Sequence, residues 1–462
     1  MKGIKLWGCA LGMSVMILSV STAQADSYKD YDYNCDEKDG EIAIVIPDKN
    51  LATIDGVLFN KVEKRLLKYP RENPATSYSI PEGVTSIGDY AFDSCENLTN
   101  ITIPEGVTSI GEGAFYDCEN LTSIIIPEGV TFIGENAFYD CENLTEITIP
   151  ESVTSIGKSA FSGCENLTDV TLPEGITSIE GQVFSRCENL TEITIPESVT
   201  SIGFGAFSGC ENLTSITLPE GVTSIEFGAF SGCKNLDTLT LEGNNSIYEV
   251  VDGALIDKDE KSLICAFESK SEYEIPESVI SIGDSAFSDY ENLTSVIIPE
   301  GVISIGEDAF YDCENLTSII IPESVTSIGR SAFSGCSNLM SVTIPENMTF
   351  IGDFTFGWCA SLKDITIPKN VTSIGESAFS YCKNLTSVTI PESVTSIGKE
   401  AFEKCENLTS ITIPESVTFI DEDAFSECEN LTILTTNAYV QRYASMNSID
   451  YRAPDDTSWL DD

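Results

Sequence analysis

The sequence predicts a parallel-β solenoid of 23-residue turns, and three observations carry that prediction. Proline recurs at Pro81, Pro104, Pro127, Pro150, Pro173, Pro196 and Pro219, then from Pro276 to Pro414, always 23 residues apart. Phenylalanine keeps the same step from Phe92 to Phe230 and from Phe287 to Phe425. Within the first unit, Leu98, Ile101 and Ile103 have the L-x-x-L-x-L spacing of a short strand whose alternate residues face inward. A unit this short cannot bury its own apolar face, so each must stack on its neighbours.

Residues 1–25 are read as a secretory signal peptide. Lys2 and Lys5 give the positive start, Leu6 to Val20 is apolar apart from Ser14 and Ser19, and Ala23-Gln24-Ala25 offers a cleavage site after Ala25. The apolar run is about 15 residues, short of the roughly 20 that span a bilayer. No second stretch of spanning length and no wall-sorting motif occurs, so no membrane span is expected.

Residues 26–80 should form an N-terminal cap with an irregular hairpin, 81–241 seven regular repeats, 242–275 a second irregular hairpin, and 276–436 seven more repeats. A cap helix over 437–452 and an acidic tail over 453–462 complete the chain. In the first unit, Asn97 to Ile103 adds a strand, and Pro104, which has no amide hydrogen for the ladder, ends it. Val84 and Ile87 point inward on the opposite side, Gly88 marks a turn, and Ala91, Phe92 and Cys95 at helical or 3₁₀ spacing lead to the next strand. Fourteen rungs at about 4.8 Å give a curved rod of about 67 Å.

The pattern I-P-E-x-V-T-S-I-G-x-x-A-F-x-x-C-x-N-L, as in Ile80 to Leu98, resembles the BspA-type leucine-rich repeat family of secreted and surface proteins. The resemblance covers nearly all the mature chain. It implies a leucine-rich-repeat solenoid, horseshoe-like and β-rich, with a parallel sheet on the concave side and short 3₁₀ or helical turns on the other. Asp55 to Pro70 and Asp252 to Phe267 resemble the family's irregular unit and read as hairpins, with polar turns at Asn60 to Lys64 and Asp257 to Lys261. Asn437 to Asn447, with Val440, Tyr443 and Ala444 on one face, resembles its closing helix. The resemblance also implies adhesion or protein binding at a cell surface.

Composition narrows the chemistry. There are 74 Asp plus Glu against 24 Lys plus Arg, a formal charge of −50, so nucleic acid and anionic membranes are poor partners. Histidine is absent, which excludes imidazole-based catalysis and the common zinc sites. Carboxylate pairs occur in every repeat with nothing to single one out, and neither enzyme activity nor a cofactor is expected.

Of the 16 cysteines, 13 share one column, Cys95 to Cys233 and Cys313 to Cys428, with Tyr290 replacing the expected member. Export favours disulfides, but parallel inward side chains do not converge as a bridge requires, so buried free thiols are expected. Cys35 and Cys265 lie outside the column, too far apart in the array to pair. Asn-Leu-Thr recurs as a formal glycosylation sequon, yet glycans one rung apart would collide; Asn is expected to satisfy backbone groups instead.

Columns of glutamate follow the proline (Glu82, Glu105, Glu128) and the cysteine (Glu96, Glu119, Glu142). Stacked like charges repel by about 0.8 kcal/mol per neighbouring pair in bulk water before screening, a small cost beside an apolar core. A solvated edge is the plain reading; weak calcium binding or capture of basic partners is the sharper one.

For binding, the exposed strand positions Thr102, Thr148, Thr171, Thr194, Thr217 and Thr240 make a nearly uniform ladder, interrupted by Ile125, Ile297 and Ile320. One repeat departs from the rest, with Phe350, Phe354 and Trp358 where others carry Ser or small or charged residues, and aromatic anchors are enriched in hot spots. These nine residues are the candidate protein-binding positions. The expected protein is a monomeric, secreted or surface-associated module without catalysis that binds a protein or polymeric extracellular ligand; the alternative is a structural spacer whose length alone matters.

Overall fold

A computed structural model describes residues 50–267 and 270–454. The leader, Cys35 and the end of the acidic tail lie outside the described residues.

Each 23-residue turn contributes eight side chains to the interior. In the turn that begins at Pro104 these are Val107, Ile110, Ala114, Phe115, Cys118, Leu121, Ile124 and Ile126, all buried. Counting each proline as position 1, they fall at positions 4, 7, 11, 12, 15, 18, 21 and 23. Each turn carries two strands. One has three residues, as in Asn100–Thr102, and the other is the Ser-Ile pair, as in Ser86–Ile87. Both pair in register with the same strand of the next turn, Ile101 opposite Ile124 and Ile87 opposite Ile110, so the solenoid has two parallel ladders. The second ladder was not evident from the leucine spacing, because two-residue strands leave almost no alternation to see.

The remaining side closes without a helix. Positions 10 and 14 adopt left-handed backbone in nearly every turn, as in Asn136 (φ 54°) and Asp140 (φ 52°), which breaks helical continuation and folds the segment as two tight turns. Amides there bond from turn to turn, Phe115 N to Ala137 O at 2.8 Å for example. Inside, the phenyl rings form a ladder with centroids 5.0 Å apart at Phe115 and Phe138 and ring planes 11° apart. Each cysteine thiol in the column after Cys95 donates to the carbonyl of the phenylalanine one turn earlier, Cys118 Sγ to Phe92 O at 3.1 Å. The described cysteines are free thiols, nearly all buried. Asn side chains at position 17 donate to backbone carbonyls of the preceding turn, as Asn120 Nδ2 does to Glu96 O at 2.9 Å.

Two antiparallel hairpins open the two runs of repeats. Val57–Asn60 pairs with Arg65–Lys68, and Leu66 then continues in parallel to Ile87. Ala254–Asp257 pairs with Ser262–Ala266, and Leu263 continues to Ile282. Alternate residues of the second hairpin face opposite ways. Leu255, Cys265 and Phe267 join the core of the first run, whereas Ala254, Ile256 and Leu263 join that of the second. At the far end the one helix among the described residues, Ala438–Met446, buries Val440, Tyr443 and Ala444, and Asp450–Arg452 adds a last parallel strand.

Besides the break between the two runs, both ladders are interrupted once within each run. Hydrogen bonding stops between Ser155–Ile156 and Ser178–Ile179 and between Asp169–Thr171 and Glu192–Thr194; it stops again between Ser327–Ile328 and Phe350–Ile351 and after Ser341–Thr343. The tight-turn side stays bonded across both gaps, through Gly163 N to Ser185 O (2.8 Å) and Gly335 N to Gly357 O (2.9 Å). The cause lies in the core. Position 4 is Val in every regular turn except Ile176 and Met348, and position 11 is Ala except Val183 and Thr355. These are the two turns at the gaps, and the extra side-chain volume wedges each away from the turn before it.

Candidate binding surface

The threonine positions lie on the three-residue ladder and are exposed. They do not form one continuous array. Ile125, 81% exposed, sits in register between Thr102 and Thr148, and the first ladder gap separates Thr171 from Thr194. Thr194, Thr217 and Thr240 run together over three turns, with the hydroxyls of Thr217 and Thr240 2.8 Å apart.

The three aromatic positions separate. Phe350 lies on the Ser-Ile ladder, where Phe132 and Phe419 occupy the same place in their own turns, so it is not peculiar to its repeat. Phe354 and Trp358 lie on the tight-turn side at positions 10 and 14, with φ of 57° and 58°, where most turns place Gly, Ser, Asn or Asp. Left-handed backbone costs such bulky residues about 1 kcal/mol or more, so the aromatic side chains are retained against local preference.

Their surroundings form a continuous stack. Phe354 and Trp358 have ring centroids 6.3 Å apart and planes within 10°, and Trp358 lies 5.1 Å from Tyr381 of the next turn at 13°. The Arg330 guanidinium sits 4.8 Å from the Phe354 centroid, and Lys404 Nζ sits 4.7 Å from that of Tyr381 and donates to its hydroxyl at 2.7 Å. Trp358 is 42% exposed. Arg330, Tyr381 and Lys404 escaped the sequence reading although Tyr381 and Lys404 follow Trp358 at steps of 23, because that reading took the aromatics of one repeat and not the column across repeats.

A second aromatic group, exposed Tyr90 with half-buried Tyr116 and Tyr139, has an acidic setting. Burial raises the Tyr116 pKa, and the neighbouring tyrosine and Asp140, Asp117 and Asp93 raise it further. Carboxylates on the same side are raised too: Asp140 by burial and its acidic neighbours against the pull of Arg186, and Asp312 by burial, Asp289 and Glu314. Among the described residues no three acidic or thiol groups are placed to hold a metal ion, and no helix is long and apolar enough to cross a membrane.

Known proteins fit this architecture. The model for the BspA type leucine-rich repeat region matches residues 69–191, 131–253, 265–385 and 349–447. A leucine-rich cell surface protein from Faecalibacterium prausnitzii is 32% identical, the alignment covering 87% of this chain and 97% of that one, with a TM-score of 0.56. A leucine-rich repeat protein from Eubacterium ventriosum is 25% identical over 77% of this chain and 91% of that one, with a TM-score of 0.61. No curated protein matches. Repeat length, core columns and family match agree: the chain belongs to the BspA-type leucine-rich repeat family.

Proposed function

We propose that this protein is an exported, non-catalytic scaffold that binds macromolecules of a host or of neighbouring cells at the cell surface. The observation that carries the reading is the stack from Arg330 through Phe354, Trp358 and Tyr381 to Lys404, an aromatic patch with Trp358 exposed and its two aromatic neighbours half-buried, held in strained backbone on an otherwise repetitive surface. Aromatic side chains with fixed neighbours supply contact area at little entropic cost, which is why they anchor interfaces. The described cell-surface relative and the apolar leader of residues 1–25 support a location outside the cell. Binding of the mature protein to arrayed extracellular-matrix proteins, mucins and polysaccharides, at physiological and high salt, tests the reading. Saturable binding to one class that Trp358→Ala reduces at least tenfold is expected. Absence of binding to any class would leave a spacer whose length matters and whose faces do not.

A further inference from the structure

The same three-turn arrangement occurs twice on the tight-turn side, occupied in one place and open in the other. In the first run, Tyr139-Asp140-Cys141-Glu142, Ser162-Gly163 and Ser185-Arg186 fill three successive turns; in the second, Tyr311-Asp312-Cys313-Glu314, Ser334-Gly335 and Gly357-Trp358 do. Both glycines leave the middle turn bare, and in both the preceding aspartate folds its carboxylate over the vacant position, where a Cβ would collide with it. In the first run Arg186 reaches back across Gly163, its Nη1 3.6 Å from Asp140 and its Nη2 3.3 Å from Glu165. In the second, Trp358 stands where Arg186 does, and stacks on Tyr381 on the side away from Gly335. Among the described residues no cation pairs with Asp312: the Tyr311 hydroxyl bonds to its carboxylate, the charges that act on it are Asp289 and Glu314, and the nearest arginine in sequence, Arg330, pairs with Glu307.

We propose that the notch between Asp312 and Trp358, floored by Gly335, receives an arginine side chain of a partner protein, in the place that Arg186 fills from within the chain at Asp140. A guanidinium suits both walls, because it is planar enough to lie against an indole and forked enough to meet a carboxylate. The partner segment is basic, and the formal charge of −50 on this chain favours its approach. This inference rests on the binding reading above and supplies the chemistry of the ligand.

The test uses the mature full chain carrying Trp459→Phe, so that Trp358 is its only tryptophan after removal of the leader. Blocked hexa-arginine peptide is titrated while Trp358 emission and heat are recorded. A saturable change in emission is expected. Asp312→Asn should weaken binding at least fivefold, whereas Asp140→Asn, whose carboxylate already faces Arg186, should change it less than twofold. Trp358→Arg should close the notch with an internal guanidinium, as in the first run, and weaken binding measured by heat at least fivefold. Unchanged emission throughout the titration, or wild-type affinity in both Asp312→Asn and Trp358→Arg, would overturn the proposal. The two readings also fail separately. A partner found on the array that binds Trp358→Arg undiminished overturns the notch and leaves the scaffold standing, whereas an array without binding removes the scaffold and the titration still decides the notch.

Discussion

Asn245 and Asn437 do the same work at two different ends. Each amide side chain donates to a core-valine carbonyl of the turn before it, Val222 or Val417, at 2.8 Å, and each carbonyl oxygen accepts two amides of the segment that follows. A tyrosine completes each cap. The hydroxyl of Tyr248 accepts the Ile225 amide, and that of Tyr439 the Ile420 amide, both at 2.9 Å, so the last strand of each Ser-Ile ladder has its edge amide satisfied. The first run of repeats therefore ends as the chain's last run does, and the second begins with a hairpin as the first does.

Two capped runs should unfold as two units. Asn245→Ala leaves buried backbone groups without partners and is expected to cost about 3 kcal/mol, felt in the first run alone; Asn437→Ala should do the same to the second. Calorimetry with hydrogen exchange would show two separable transitions, each moved by its own variant. A single transition shifted equally by both would contradict this.

Relieving the wedges should close the ladders. Ile176→Val with Val183→Ala removes three methylene equivalents, at about 0.8 kcal/mol each, and permits new backbone hydrogen bonds worth about 1 kcal/mol apiece. Net stability should change little, while exchange at the Thr177 and Glu180 amides slows at least tenfold. Unchanged exchange would mean that something other than core volume holds the gap open.

Glycine holds position 8 in eleven of the fourteen turns, Glu180, Glu226 and Asp421 standing in the others, and in nearly all of the eleven it packs close against the turn before. A Cβ on Gly134 would lie 2.5 to 2.6 Å from the backbone of Gly111 and Glu112, so Gly134→Ala should cost about 3 kcal/mol. Gly221, whose added Cβ would stand 3.6 Å from the nearest atoms, should accept Ala without loss. Urea unfolding of the two variants measures the contrast.

The thiol column ties stability to alkaline pH. Cys428, hydrogen-bonded to Cys405, has a lowered pKa, but burial raises that of the column thiols from Cys95 to Cys382, to about 12 for Cys95, and that of Cys265 outside the column to about 12, above the ordinary value of 9.0. A group raised in the folded state contributes stability that is complete below its unfolded pKa and lost above it. Stability should thus decline above about pH 9, and thiol reagents at pH 8 should modify these cysteines only after denaturation.

Acid should act the other way from its usual effect. Asp140, Asp308 and Asp312 have raised pKa values, each through burial first and acidic neighbours after it. The folded state then takes up protons before the unfolded chain does, so these three groups should add stability as pH falls from neutral towards the ordinary carboxylate range. Melting temperatures across that interval check the sign.

The fold was legible because one repeat was written fourteen times, and its eight core positions could be read by averaging. What escaped was carried by departures from the average. The left-handed backbone at positions 10 and 14 is masked by a mixture of Gly, Ser, Asp, Arg and aromatic residues. The ladder gaps rest on substitutions as mild as Val to Ile176 and Ala to Val183, which no hydrophobic pattern distinguishes. Of the candidate site, Phe354 and Trp358 were visible as oddities, but their cationic neighbours Arg330 and Lys404 belong to other repeats and come into range only when the turns stack.

The two gaps also give the rod a mechanical character. At each, both strand ladders lose their pairing while the tight-turn side stays bonded, and at the entry to the three-residue strand only isolated bonds such as Asn189 N to Glu165 O and Ser361 N to Ser337 O, each 3.0 Å, cross with it. A rod pulled along its length would yield there first, flexing about the intact side as a strip of tape bends at a crease, and the amides around Gly163 and Gly335 would bear the load. Trp358 lies on the bonded side of the second crease, so a partner seated there would feel the rod bend without being carried apart from it.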